Sequence, residues 1–469
     1  MIQYLHNNQI VSETELPADL TLLDYLRNEQ RMTATKEGCA SGDCGACTVA
    51  LGQLDKAGQL EYQSVNACIC PATELHGREL ITATDLRQGA SLHPVQQAFI
   101  ETHASQCGFC TPGFIVSAFV LMESLGEGET PSDEMASQAV AGNLCRCTGY
   151  GTIVSAVKRA AQSYETQIDR VEIADQLNQI RPLGQECGLM LPESLEELGR
   201  LQSQRLNYEL IAGGTDLMLE VTQKLKTKPL MIGLSRIREL QQLIEDRESR
   251  RVRVGAGVSF NQLLDWATSA LPELAKLLLH IGSDQIRNRG TVGGNLGTAS
   301  PIGDLPPLFL ALGAEVRLWS VQGARDIPLS QFFTGYRTTV LEPNEIIHSV
   351  SFRLPEGPQK LIVEKVSKRR EDDISALLFA ACITVVRGRI AHLALGLGGV
   401  AATPINASNL TSELQGTETG VWDYRSIRAL VDKHLHPLDD LRASADYRLH
   451  CTAALLLDAL QTAEVSNEK

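Results

Sequence analysis

The placement of cysteine constrains this 469-residue chain more than any other feature. Of its 12 cysteines, nine stand at positions 39, 44, 47, 68, 70, 107, 110, 145 and 147, and only Cys187, Cys382 and Cys451 follow. Thiols gathered so densely at the start of a chain are either disulfide staples or ligands. The opening MIQYLHNNQIV has no basic n-region and no apolar h-region, so a cytoplasmic protein is expected, in a compartment that keeps thiols reduced. Metal ligation or redox chemistry is then the better reading of the nine. Cys187, Cys382 and Cys451 read as small buried apolar residues.

The early cysteines fall into two sets. Cys39-x4-Cys44-x2-Cys47, with Cys68 downstream, has the plant-type [2Fe–2S] spacing, in which three thiolates come from one loop and a fourth from elsewhere. Gly38, Gly42 and Gly45 let that loop fold tightly around a metal and turn N–H groups toward cluster sulfurs. A structural zinc site is the weaker alternative, because zinc sets usually pair two short Cys–Cys spacings. Cys68 and Cys70 compete for the fourth position, since strand residues two apart share a face. The second set is Cys107-x2-Cys110 with Cys145-x-Cys147, each pair just ahead of a helical pattern whose positive N-terminus suits an anionic cluster. Alone it would fit zinc or iron–sulfur equally; beside the first loop a second cluster is the better expectation.

Residues 2–5 and 9–11 flank Asn7-Asn8, a tight-turn signal, and Thr21 caps an apolar face of Leu22, Leu23 and Leu26. TVAL at 48–51 reads as a strand. From Leu92 to Tyr164 the pattern is helical, with Gly113–Leu125 following Pro112 and with Ile153, Ala156, Val157, Ala160, Ala161 and Tyr164 on one face. Residues 163–187 are polar and read as a linker. Beyond them, β-rich runs (YELIAGG, PLMIGL, RVRVGAGV) alternate with helical patterns such as Phe260–Ser269. After 356 come IVEKV, CITVV and HLALGLGGV, then helical segments near 424–434 and 444–463.

Lys+Arg 42 against Asp+Glu 56 leaves a net charge of −14, which argues against a general nucleic-acid binder. The longest apolar stretch, around Phe114–Leu125, is too short to span a bilayer. No GxxxxGK[ST], GxGxxG after a strand, HExxH or GxSxG is present. The glycine runs at 211–216 and 289–297 can form anion-binding nests, although such runs are more often plain turns.

In chain order, GCASGDCGACTV, NACIC, QCGFCTPGF, GNLCRCTGYG, IAGGTDL, TVGGNLGTASPIGDLPP, FFTGYRTTVL and SKRREDDIS resemble the molybdenum hydroxylase family, in particular the small iron–sulfur/flavin subunit of bacterial xanthine dehydrogenases. The resemblance implies an α+β multidomain fold. Its parts are a ferredoxin-like β-grasp domain over 1–82, a helical [2Fe–2S] domain over 83–162, the linker, a two-subdomain α/β FAD-binding domain over 188–356 and a small C-terminal α/β flavoprotein domain over 357–469. It implies cluster ligands Cys39, Cys44, Cys47 and Cys68, with Cys68 rather than Cys70 as the fourth, and Cys107, Cys110, Cys145 and Cys147. It further implies FAD contacts at Leu210, Ile211, Ala212, Gly213, Gly214, Thr215, Asp216, Leu217, Thr291, Val292, Gly293, Gly294, Asn295, Asp304, Ile347 and Lys365. In relatives the loop around Arg370–Asp373 lies beside the flavin, where the nicotinamide acceptor approaches. Ile281 stands where animal members carry an aromatic residue over the flavin.

The chain stops at Lys469, without the family's large molybdopterin-binding portion. The expectation is therefore an electron-transfer and NAD-reducing subunit with two [2Fe–2S] clusters and FAD and no catalytic acid or base of its own. Molybdopterin would lie only on a large partner subunit, within a heterotetramer of two small and two large chains, with no nucleic-acid or membrane partner. The alternatives are the same role for an aldehyde or another N-heterocycle, or a zinc-stabilised, non-redox assembly protein.

Overall fold

The computed structural model describes residues 1–87, 89–126, 128–166, 168–180, 188–204, 207–370 and 372–465. The chain forms two compact units, one from Met1–Pro192, Arg205–Ser235 and Gly282–Gly290, the other from Glu193–Gln204, Arg236–Ile281 and Thr291–Lys469.

The first unit opens with the antiparallel hairpin β1 (Ile2–His6) and β2 (Gln9–Glu13). Asn7 and Asn8 turn it with φ of 50° and 58°, the left-handed conformation that asparagine tolerates. Three more strands, β3 (Thr48–Leu54), β4 (Leu60–Asn66) and β5 (Glu79–Ile81), complete a sheet of order β2-β1-β5-β3-β4. Thr21 caps as expected, its Oγ1 accepting from the Asp24 amide at 3.0 Å. The helix it starts runs as α-helix only over Leu22–Asp24, then widens into a π-turn at Tyr25–Glu29. There the buried Tyr25 hydroxyl is anchored by Tyr4 at 2.9 Å and Glu13 at 2.8 Å.

Four helices follow, Pro94–Glu101, Thr111–Ser124, Asp133–Val140 and Gly151–Ala161. They pack Val95, Phe99, Phe114, Ala118, Ile153 and Val157 into one core. Ala161 and Tyr164, expected on the same buried face, are only half-buried. The stretch read as a linker contains a helix, Arg170–Asn178. Its Ile173 and Leu177 are buried, and Arg170 donates to the Leu60 carbonyl at 2.7 Å and the Glu123 carbonyl at 2.9 Å. Two apolar anchors and one guanidinium are enough to dock this otherwise polar helix. Cys187 lies outside the described residues. A small parallel sheet, with Met231–Gly233 between Leu189–Met190 and Glu209–Ile211, also belongs to this unit.

The second unit holds a five-stranded antiparallel sheet in the order Gly323–Pro328, Glu315–Ser320, Ile346–Arg353, Arg251–Gly255, Leu243–Asp246. Alternation in RVRVG buries Val252 and Val254 and exposes Arg251 and Arg253, as one covered face requires. Leu263, Leu274, Leu278 and Phe309, from three helices, share the core with those valines. A four-stranded sheet follows, Gln359–Val366, Leu377–Val386, Arg389–Gly398 and Ile405–Asn406. Helices Tyr424–His434 and Ala445–Val465 contribute Ile427, Leu456 and Leu460 to a core with Phe379, Ile383, Leu395 and Leu397. Cys382 is buried, whereas Cys451 is only half-buried, its thiol beside the Tyr447 hydroxyl. Among the described residues no helix is long and apolar enough to cross a membrane.

Candidate cluster and flavin sites

The loop from Gly38 to Cys47 folds back on itself so that its thiols converge. Gly42 and Gly45 take φ of 84° and 65°, where a side chain would be strained. The Cys39 thiol bonds those of Cys44 and Cys68, and the Cys47 thiol bonds that of Cys68. These contacts drive Cys39 well below the ordinary thiol range and push Cys44 and Cys68 well above it, so charge is shared within the set. The Ser41 amide adds a 3.4 Å bond to Cys39 Sγ.

Local backbone sets Cys68 and Cys70 apart. The expected strand ends at Asn66, and Ala67–Ile69 is a single 3-10 turn, so the two side chains do not share a face. Cys68 joins the other three thiols. Cys70 Sγ instead donates to the Pro71 carbonyl at 3.6 Å, and burial pushes its thiol up.

In the second set Cys107 and Cys110 precede helix Thr111–Ser124, and Cys145 and Cys147 precede helix Gly151–Ala161. The thiols pair as Cys107 with Cys147 and Cys110 with Cys145. Burial pushes Cys110 up to about 12, an effect reinforced by Cys145. Burial acts upward on Cys145 too, but hydrogen bonds from the Thr148 hydroxyl (3.3 Å) and the Cys147 amide (3.4 Å) hold it down at about 7. Cys107 and Cys147 are exposed.

No group of three or more His, Cys, Asp or Glu among the described residues is arranged for one metal ion. The first four thiols form a chain, Cys44–Cys39–Cys68–Cys47, and the second four form two pairs, Cys107–Cys147 and Cys110–Cys145. Four thiolates in each set match the number a binuclear centre takes, two on each iron.

A buried polar network joins the two cysteine loops. The Leu144 amide donates to the Cys44 carbonyl at 2.9 Å, and Asn143 Nδ2 donates to the Gly45 carbonyl at 2.9 Å. Ser117 Oγ donates to Asn143 Oδ1 at 2.8 Å. Gln285 Nε2 reaches Thr48 Oγ1 and Ser117 Oγ, both at 3.2 Å. Sequence reasoning missed these four side chains. The one local signal is the Gly142-Asn143 step ahead of Leu-Cys; Gln285 carries none.

The first glycine loop, Ile211–Asp216, continues strand Glu209–Ile211 and leads into helix Leu217–Thr222. A Cβ on Gly213 would lie 1.6 Å from the Arg289 carbonyl oxygen, and one on Gly214 3.3 Å from the Ile69 carbonyl oxygen. The loop thus lies directly on the Cys68–Cys70 turn. Leu210 pairs with Ile232, while Ala212, Thr215 and Leu217 are half-buried and Asp216 is exposed.

The second glycine loop belongs to the other unit. Thr291 Oγ1 accepts from the Gly294 amide at 3.0 Å, and the Val292 and Gly293 amides donate to the Val258 and Ala256 carbonyls. Gly293 is closed in by Ala256, 2.5 Å from where its Cβ would stand. Asn295 Oδ1 is buried without a hydrogen-bond partner, an acceptor that a ligand donor would satisfy. In the same unit Asp304 accepts from Lys365 Nζ at 2.9 Å and from Ser375 Oγ, and Lys365 Nζ also donates to the His280 carbonyl at 2.8 Å. Ile347 is buried, Ile281 half-buried. In the charged loop, Asp373 Oδ2 accepts from the Arg369 amide at 2.9 Å; Glu371 lies outside the described residues. A surface cavity of about 410 Å³, lined by Ser330, Phe333 and residues around Ile405, includes none of these groups.

Four family models match the chain in succession. They are a 2Fe-2S iron-sulfur cluster binding domain at residues 6–73, a [2Fe-2S] binding domain at 82–158, the FAD binding domain in molybdopterin dehydrogenase at 185–356 and the CO dehydrogenase flavoprotein C-terminal domain at 364–463. Xanthine dehydrogenase of Drosophila pseudoobscura pseudoobscura is 31% identical over 475 residues, covering 87% of this chain and 35% of the relative. The chain spans about a third of the length of the curated relatives it matches. Among solved structures, a chain of carbon monoxide dehydrogenase from Hydrogenophaga pseudoflava superposes with a TM-score of 0.54 and 27% identity, covering 59% of this chain and 96% of that one. A chain of quinoline 2-oxidoreductase from Pseudomonas putida 86 gives 0.53 and 25%, with 59% and 97% covered.

Proposed function

The chain belongs to the molybdenum hydroxylase family as its iron–sulfur/FAD portion, and from that premise we propose that it is the electron-transfer and NAD-reducing small subunit of a xanthine dehydrogenase. The observation that carries the reading is the gathering of eight cysteines into two quartets of mutually bonded thiols, with one backbone hydrogen bond between their loops. Cys39, Cys44, Cys47 and Cys68 would hold one [2Fe–2S] cluster, and Cys107, Cys110, Cys145 and Cys147 the other. Leu210–Leu217, Thr291–Asn295, Asp304, Ile347 and Lys365 would hold FAD. When bound, these groups supply single-electron transfer and its conversion to hydride delivery to NAD⁺.

The chain's own residues bind and position. Backbone amides and the Thr148 hydroxyl favour the anionic form of the sulfurs they face. Asp304, held by Ser375, fixes the Lys365 ammonium in one place, which suits a stationary donor to a bound ligand. The Arg369–Asp373 contact preorganises the loop that in relatives faces the acceptor. Substrate oxidation would occur at molybdopterin on a large partner subunit, in a cytoplasmic heterotetramer of two small and two large chains.

A second reading keeps this role and changes the substrate to an aldehyde or another N-heterocycle, and similarity to the quinoline enzyme favours it. Anaerobic purification from the native host, with metal, flavin and partner analysis, tests both. About four irons and one flavin per chain are expected. Fewer irons, or zinc in their place, overturns the reading. Turnover of aldehyde but not xanthine by the complex replaces the substrate.

A further inference from the structure

Close to the first cysteine set lies a buried charge cluster that ligation does not require. The Glu74 side chain is 1% exposed, that of Arg289 10% and that of Arg78 15%. Glu74 Oε2 accepts from Arg78 Nη1 at 2.7 Å and Arg289 Nη1 at 3.0 Å, and Oε1 accepts from Ser235 at 3.2 Å. Two guanidinium groups against one carboxylate leave a net charge of plus one. Arg289 spends a further hydrogen, from Nε, on the Gly213 carbonyl at 3.2 Å, while its Nη2 is buried without a partner.

Stability alone does not account for this arrangement. Replacing a buried ion pair by packed apolar side chains is often neutral or favourable, and a buried unpaired donor is costly. Placement supplies a reason. Glu74 sits in the Ala72–Leu75 turn, just past the Cys68–Cys70 turn. The Glu74 amide donates to the Pro71 carbonyl at 3.1 Å, the same carbonyl that Cys70 Sγ faces at 3.6 Å. The glycine loop that Arg289 braces also rests on the Ile69 carbonyl.

We propose that Glu74, Arg78 and Arg289 act as a positioning charge for the Cys39/Cys44/Cys47/Cys68 site, their excess cation making the centre held there easier to reduce. The inference rests on the iron–sulfur reading above. A centre that gains negative charge on reduction is stabilised in its reduced form by a fixed cation shielded from water, and net local charge is among the terms that set cluster potential. Removing the cation and removing the anion must therefore act in opposite directions.

The test is an EPR-monitored redox titration of the cofactor-loaded full chain, with the centre at Cys107/Cys110/Cys145/Cys147 as internal reference. Arg289→Gln is expected to shift the first centre to lower potential, Glu74→Gln to raise it, and Arg289→Lys to leave it near the parent value, with the second centre unmoved throughout. Unchanged potentials, or shifts of one sign in both neutralised variants, overturn the proposal. If Arg289→Gln does not load iron, Arg78→Gln removes the same charge and decides in its place. A parent protein without two iron signals would instead refute the iron–sulfur reading.

Discussion

Gly45 sits where the two cysteine loops meet, and substitution there separates backbone strain from packing. Its φ is 65°, and that of Gly58 is 78°. Alanine at either position bears the left-handed penalty of about 1–2 kcal/mol. The surroundings differ. At Gly58 nothing lies within 4 Å of the added Cβ, whereas at Gly45 it would stand 2.2 Å from the Gly142 carbonyl oxygen and 2.9 Å from Asn143 Cα. Those two obstacles are backbone, Asn143 Nδ2 itself would lie 2.6 Å away, and the 2.9 Å bond from Asn143 to Gly45 cannot survive their retreat. Loss of that buried bond and of close packing adds roughly 3 kcal/mol to the shared penalty. At about 2–4 °C per kcal/mol for a unit of this size, Gly45→Ala should melt roughly 6–12 °C below Gly58→Ala. Melting is followed through visible absorption of the loaded protein, which reports the cysteine loops. Equal melting temperatures for the two variants would refute the argument, because strain would then be the whole effect.

Cys68→Ser should abolish the paramagnetic signal of one centre and about half the bound iron, while Cys70→Ser, which alters only a 3.6 Å contact with the Pro71 carbonyl, retains both signals; the reverse pattern would show the fourth ligand misassigned. Glu79 gives a pH prediction. It is 5% exposed, accepts from the Tyr62 hydroxyl at 2.6 Å, and burial raises its carboxyl from 4.5 to about 7. Between those values unfolding releases a proton, so stability falls by ~3 kcal/mol as pH rises through the window. Denaturant titrations at pH 5 and pH 8 should therefore show Glu79→Gln gaining on the parent at the higher pH, and parallel behaviour of the two would rule the linkage out.

What could be read in the sequence was local. The Asn7-Asn8 turn, the Thr21 cap and the alternation in RVRVG each involve neighbours within a few residues, and each takes the expected form. Cys68 and Cys70 point to different surroundings because the chain leaves the strand at Asn66, which periodicity over five residues does not encode. The helix Arg170–Asn178 was hidden because a mostly polar composition masked Ile173 and Leu177. Least legible were the groups that set the two cysteine loops against each other. Gln285 reaches back 237 residues to Thr48, and Asn143 reaches back 98 to Gly45. The separation between the two sites is specified by a few buried polar side chains, each left unsatisfied if its distant partner moves. Transfer between centres depends on that separation, so substitutions at Asn143 or Gln285 can impair function while every cysteine motif remains intact.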